Sequence, residues 1–222
     1  DAGDAAASVS VVVALSSALA APPSAALTAG RDATLTGTTV TLVNTDAATN
    51  GATTQVGRTL LDGGITTYRR HSLPGTPGDR SSIVDPQLLG LNAAQMLMLN
   101  MRMPWATYKG QPATVKVDCS SDCANRLTNA VQGNPGRIVW VDGDLNLSTS
   151  ISLGSDDEPA LIVVDGNMGM TGTNVDIVGL LYGLNDISIT GTNLNVRGAV
   201  VAARDFSRTG TTTTIEYNPL HL

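Results

Sequence analysis

Aromatic residues make up only 3% of this 222-residue sequence. Its core must therefore be built from valine, leucine, isoleucine and alanine. Lysine is nearly absent: Lys109 and Lys116 are the only two, and the other eleven basic residues are arginine. The net charge is −6, which excludes a whole-chain basic footprint for nucleic acid. Histidine is limited to His71 and His221, and cysteine to Cys119 and Cys123. No apolar run is long enough to cross a membrane as a helix. Ser-His-Asp, HExxH and phosphate-loop patterns are all missing, and nothing in the sequence calls for a cofactor.

Aliphatic residues are plentiful. With 42% hydrophobic and 14% charged residues, the chain can bury a core and is not disordered in composition. Its length suits one large domain or two small ones. Abundant glycine and threonine favour short strands separated by tight turns.

A repeat organises those strands. The tripeptide TGT occurs at 171–173, 190–192 and 209–211, in steps of 19 residues. Around it lie "LIVVDGNMGMTGTNVDIVG" (161–179), "LLYGLNDISITGTNLNVRG" (180–198) and "AVVAARDFSRTGTTTTIEY" (199–217). Each block opens on an apolar run, has Asn or Asp four residues before the first Thr (Asn167, Asp186, Asp205), and closes on an alternating stretch. "RIVWVDGDLNLSTSISLG" (137–154) follows the same template with Asp144, and "SDDEP" (155–159) accounts for its longer step. "AALTAGRDATLTGTTVTLVN" (25–44), with Asp32 and a fourth TGT, fits upstream, and "TTQVGRTLLDGGITTY" (53–68) is a weaker copy. A period near 19 suits one turn of a parallel β-solenoid with two or three short strands. The expected fold is therefore mainly β, a parallel β-solenoid with an N-terminal α-helix and a short helical insertion.

Four segments follow. Residues 1–22 contain an Ala-rich run, Ala5 to Ala20, that reads as a helix stopped by Pro22-Pro23. Residues 25–68 are the first coils and 137–222 the main stack. Between them, 69–136 leaves the repeat. It holds a Pro/Gly/Ser-rich loop (69–82) and "DPQLLGLNAAQMLMLNMRM" (85–103), with Leu88, Leu91, Met96, Leu99 and Met103 at helical spacing. It ends in "DCANRLTNAVQG" (122–133), a short helix closed by Gly133. Cys119 and Cys123 lie close enough in sequence for a small disulfide loop, the preferred reading, with free thiols or a metal site as alternatives.

Candidate sites are few. In TGT, the glycine reads as a corner that takes a φ other residues resist; stacked threonines forming an ice-binding ladder are the sharper alternative. The recurring Asn/Asp reads as a second corner whose side chain caps local N–H groups. "VDGDLN" (Asp142, Asp144, Asn146) resembles the start of a calcium loop but lacks its glycine and closing glutamate. "SDDE" (155–158) reads as a solvated loop. A glycan-active site would need Asp176, Asp186, Arg197, Arg204 and Asp205 to converge across coils. The best binding candidate is "TTYRRHS" (66–72): Tyr68, Arg69, Arg70 and His71, joined by Arg58 and Arg80, place a stacking group beside cations suited to phosphate or an acidic glycan. Trp105 and Tyr108 read as packing residues of the insertion.

The stretches "AALTAGRDATLTG", "AAQMLMLNMRM", "VDCSSDC", "GRIVWVDGDLNL" and "GAVVAARDFSRTGTTTTIEYNP" together resemble PilX-type type IV pilus assembly proteins, minor pilins with a β-solenoid domain. The resemblance runs from about residue 25 to the end. The architecture is also similar to the competence pilins of the ComZ type. The resemblance implies a non-catalytic extracellular subunit of a fimbrium, placed at the pilus tip. Its partners would be other pilins, a tip adhesin, and a surface glycan or DNA. Membrane attachment would run only through an N-terminal hydrophobic helix absent from this chain. A DNA-binding competence pilin and a polysaccharide-active β-helix enzyme are the alternatives.

Overall fold

The computed structural model describes residues 19–49, 51–70 and 82–222. The expected helix over Ala5 to Ala20 therefore lies outside the described residues, except for Leu19 and Ala20, which are not helical.

The chain is mainly β and its described strands pair in parallel. The first coil comprises β1 (Leu27–Ala29), β2 (Ala33–Leu35) and β3 (Thr39–Asn44). The second comprises β4 (Thr54–Val56), β5 (Leu60–Asp62) and β6 (Thr66–Arg70). Then come β7 (Ser82–Val84), helices α1 (Pro86–Leu89), α2 (Ala93–Met101) and α3 (Trp105–Lys109), strand β8 (Val115–Asp118) and helix α4 (Cys123–Gln132). The third coil is β9 (Ile138–Asp142), β10 (Leu145–Leu147) and β11 (Ile151–Leu153). The fourth begins with β12 (Ala160–Val164) and β13 (Met168–Met170) and enters β14 (Asn174–Gly183). Strand β14 runs on into the fifth coil, followed by β15 (Ile187–Ile189) and β16 (Asn193–Ala202). The sixth coil takes the second half of β16, then β17 (Phe206–Arg208) and β18 (Thr212–Tyr217).

Three parallel faces result, an arrangement compatible with the expected β-solenoid. The first runs β7-β4-β1-β16-β14-β12-β9-β8. The second is a six-stranded sheet, β10-β13-β15-β17-β2-β5. The third runs β11-β14-β16-β18-β3-β6. Between β14 and β16 the register is 19 residues, with Asn174 opposite Asn193 and Gly183 opposite Ala202.

The spatial order of the coils is not their order in sequence. The sixth coil stacks directly on the first: Phe206 pairs with Ala33, Thr212 with Thr39 and Val200 with Leu27. The early pair of coils is therefore separated from the later coils in sequence only. The segment 69–136, expected as loop and helices, also adds a strand to each end of the first face, β7 beside β4 and β8 beside β9. With strands about 4.8 Å apart, the helices joining β7 to β8 travel the length of the stack.

Alternation explains the core. On the second face, Leu145, Met168, Ile187, Phe206 and Ala33 form one buried column, with outward polar residues between such columns. The first face is buried on both sides because the helices lie over it. Trp140 is fully buried beneath α3, its ring centroid 6.3 Å from that of Trp105. Lys109 bonds Asp142 and Asp165 and lies 5.9 Å from the Trp140 ring, and its two carboxylates hold its pKa above the ordinary lysine value. In α2 the buried residues are Met96, Leu97 and Met101. Leu99, expected on the packed face, is 47% exposed, so spacing alone misplaces the buried side of this short helix.

Helix α4 closes the β9 end of the stack, packing Leu127 and Val131 toward β8, β10 and β11. Its first residue, Cys123, forms the expected disulfide with Cys119. Replacing both cysteines with serine should cost about 2 kcal/mol, the chain-entropy value for so short a loop. The loss should appear as a lower urea midpoint that reductant reproduces in the parent protein.

Candidate functional site

The glycines define the corners, for two different reasons. In the TGT corners, Gly172, Gly191 and Gly210 lack the expected positive φ; of the four, only Gly37 has it, at 108°. A Cβ on Gly210 would instead fall 3.1 Å from the Gly191 carbonyl carbon and closer still to its oxygen. Close approach between coils excludes a side chain there. The bends that need positive φ lie elsewhere, at Gly179 (138°) and Gly198 (148°), where the third face turns into the first without a loop.

The recurring Asn/Asp side chains form a ladder along the other corner. Asp144 Oδ1 accepts the Asn167 N–H at 2.7 Å, Asp186 Oδ1 the Asp205 N–H at 3.2 Å, and Asp205 Oδ1 the Asp32 N–H at 3.1 Å. Each side chain thus caps the next coil, not its own turn as expected. At the end of the ladder Asp32 meets Arg58 and the Thr59 N–H. The Arg58 guanidinium, followed by the Thr59 bonds, holds the Asp32 carboxyl below its ordinary 3.8. A lowered folded-state pKa stabilises above the unfolded value and is lost as pH falls through the folded one. The margin holding the second coil to the first should therefore be constant above about pH 5 and shrink below about pH 4. Asp32→Asn should flatten that acid limb in a urea midpoint series.

The residues proposed from sequence are dispersed. Tyr68 Oη donates to Asp62 Oδ2 at 2.9 Å and packs against the end of the core, so its hydroxyl and ring serve the fold. Arg58 is held by Asp32 on a different face. Arg69 and Arg70 pair with Val43 and Asn44 along β6. His71 and Arg80 lie outside the described residues. The five groups proposed for a glycan-active site divide between two places. Asp186, Arg204 and Asp205 belong to the Asn/Asp corner, with Arg204 Nε 3.7 Å from Asp186. Asp176 and Arg197 lie on the third face, at different positions across it.

The acidic motifs are also engaged. Asp142 bonds Lys109, and Asp144 caps Asn167. In the SDDE loop, Asp156 accepts from Arg197 Nη1 at 2.8 Å and lies 3.3 Å from Nε2 of the buried His221. That contact ties the loop to the 3-10 turn Pro219–His221. Among the described residues, no three His, Cys, Asp or Glu side chains are grouped to hold a metal ion.

Two features had no counterpart in the sequence reading. One is Arg208. It occupies a core column between Ile189 and Leu35 and is fully buried. Its Nε donates to Thr213 Oγ1 at 2.8 Å, Nη1 to Thr36 O at 2.7 Å and Nη2 to Thr39 O at 2.9 Å. Burial draws its pKa down. An arginine at a position that its neighbours fill with aliphatics was the available signal. The other is the outer surface of the third face. Outward positions there read Asn174-Asn193-Thr212-Thr39 in one column and Asp176-Asn195-Thr214-Thr41 in the next. A shallow groove of about 280 Å³ crosses the first three residues of each column. Three TGT corners lead into it, and Thr36–Thr38 stacks directly on Thr209–Thr211, so the tripeptide runs through four consecutive coils in space. Compared with protein-family models, curated proteins and solved structures, the chain matches none.

Proposed function

We propose that the chain is the β-solenoid head of a minor pilin, an extracellular, non-catalytic subunit that displays surfaces for adhesion or partner binding from the tip of a type IV pilus. The observation that carries this is how the N-terminal segment leaves the stack. Leu19 is buried, the Ala21 N–H donates to Asn100 O at 2.9 Å, and Asn100 Nδ2 returns a 2.8 Å bond to Ala21 O. A segment arriving ahead of Leu19 would be coupled to the head through these contacts, as a fibre subunit requires. The disulfide fits an oxidising compartment. Neither the DNA-receptor nor the polysaccharide-enzyme reading draws comparable support from a specific contact.

The test is location. Surface fibres sheared from the source cells should contain the full-length protein by immunoblot, and deleting its gene should reduce fibre number. A protein absent from sheared fibres, with fibre number unchanged on deletion, would end the pilin reading.

A further inference from the structure

We propose that the Asn/Thr groove on the third face binds an extended neutral polysaccharide laid along the stack, one sugar to a coil. This gives the displayed head a ligand and rests on the display part of the reading above.

The surface has the chemistry for it. The two columns centred on Asn193 and Asn195 consist of amides and hydroxyls, with Asp176 the single ionisable side chain among their eight residues. Their inward neighbours, such as Val175, Leu194 and Thr213, are buried in the core, so the strands are rigidly held. The amides are already oriented: Asn193 Nδ2 donates to Asn174 Oδ1 at 2.8 Å, and Asn195 Nδ2 to Asp176 Oδ1 at 2.8 Å. Those bonds leave each Asn193 and Asn195 carbonyl oxygen and one amide hydrogen for a ligand. Amide and hydroxyl pairs of this kind match vicinal sugar hydroxyls, which both donate and accept. Preorganisation lowers the ordering cost of binding.

Charge and shape select among ligands. The two columns hold one carboxylate and no cation, which disfavours phosphate or uronate on them; the nearest charges on the face, Arg197 and Glu216, lie in the next outward column. An extended peptide that recognises a sheet does so at an unpaired edge, and these strands are paired on both sides. The groove is shallow and runs across three coils, and parallel strands repeat every ~4.8 Å along it. An extended 1,4-linked pyranose chain advances by a similar distance per sugar, so successive residues meet equivalent side chains. On this reading the unit of recognition is the coil, and affinity grows with chain length until the groove is filled.

The experiment measures binding of the intact chain to 1,4-linked glucose, mannose and N-acetylglucosamine oligomers of two to six sugars by isothermal titration calorimetry. Polygalacturonate and single-stranded DNA serve as anionic controls. At least one neutral series should bind, with affinity rising from dimer to tetramer and little change with salt. Asn193→Ala/Asn195→Ala and Thr212→Ala/Thr214→Ala should each weaken it about tenfold or more, the loss of one or two neutral hydrogen bonds. Ser188→Ala, on the second face, should leave it unchanged, and all three variants should stay folded with melting temperatures within a few degrees of the parent's. No binding to any neutral series, binding only to anionic polymers, or equal binding by the groove variants would each overturn the proposal. So would inhibition of ice recrystallisation that the groove variants lose in the absence of glycan binding. Glycan binding by a protein absent from sheared fibres would uphold the groove and remove the pilus.

Discussion

Arg208→Leu should cost about 3 kcal/mol of stability, although leucine is what the column around it would suggest. The residue sits between Ile189 and Leu35 in an otherwise aliphatic stripe. Two effects oppose each other. Removing a buried guanidinium relieves its desolvation, which alone would favour leucine. But leucine removes only one side of each bond. The part-buried carbonyls of Thr36 and Thr39 and the buried hydroxyl of Thr213 lose their donors, and an orphaned buried acceptor costs about 1–3 kcal/mol, a part-buried one less. The second effect should win because three acceptors are left against one relieved charge. Chemical denaturation gives the total, and hydrogen exchange gives the location. Protection should fall first over residues 25–70, because Thr36 and Thr39 belong to the first coil and Arg208 to the sixth. A midpoint equal to or above the parent's would show that desolvation dominates and that the arginine is retained for some reason other than stability.

Gly198→Ala should abolish the fold, a loss above about 4 kcal/mol. The position combines two obstacles that occur separately elsewhere. Its φ is 148°, which L side chains rarely adopt. Its Cβ would lie 2.7 Å from the Gly179 carbonyl carbon and nearer still to the oxygen. Both atoms are backbone in a paired strand, so neither can swing away. Gly64→Ala separates the terms. Gly64 has φ 78° but nothing within 4 Å of where a methyl group would sit, so its alanine variant should cost only about 1–2 kcal/mol. Soluble yield and thermal midpoints of the two variants check this. A Gly198→Ala protein melting within a few degrees of the parent would mean that the coils can slide apart at the bend.

These two residues mark what was legible in the sequence. Coil length was, because strand alternation and close-packed corners impose a period that local residue types record. The disulfide and α4, with its closing Gly133, were legible for the same local reason. Coil order was not. Thr36–Thr38 looks like a stray fourth copy in the sequence, and only pairing across some 170 residues places it next to Thr209–Thr211. The reason for each glycine was equally hidden, since a residue type does not say whether φ or a neighbouring carbonyl demands it. The surroundings of the expected site residues were hidden in a related way. Tyr68 looks like a stacking platform beside cations, yet in three dimensions it seals the core against Asp62. The Asn/Thr columns, by contrast, are ordinary polar residues until 19-residue steps align them.

The meeting of the sixth coil with the first also governs how the chain can fold over time. In a solenoid whose coils stack in sequence order, each new turn finds its template already formed, and folding propagates from either end. Here the coils over 25–70 are synthesised first, yet one of their two stacking surfaces is supplied by 198–217. Bringing those segments together closes a long loop, an entropic cost that grows slowly with length but precedes the gain from pairing. Folding should therefore be slow and cooperative across the whole stack, with the early coils held incomplete until the last arrive.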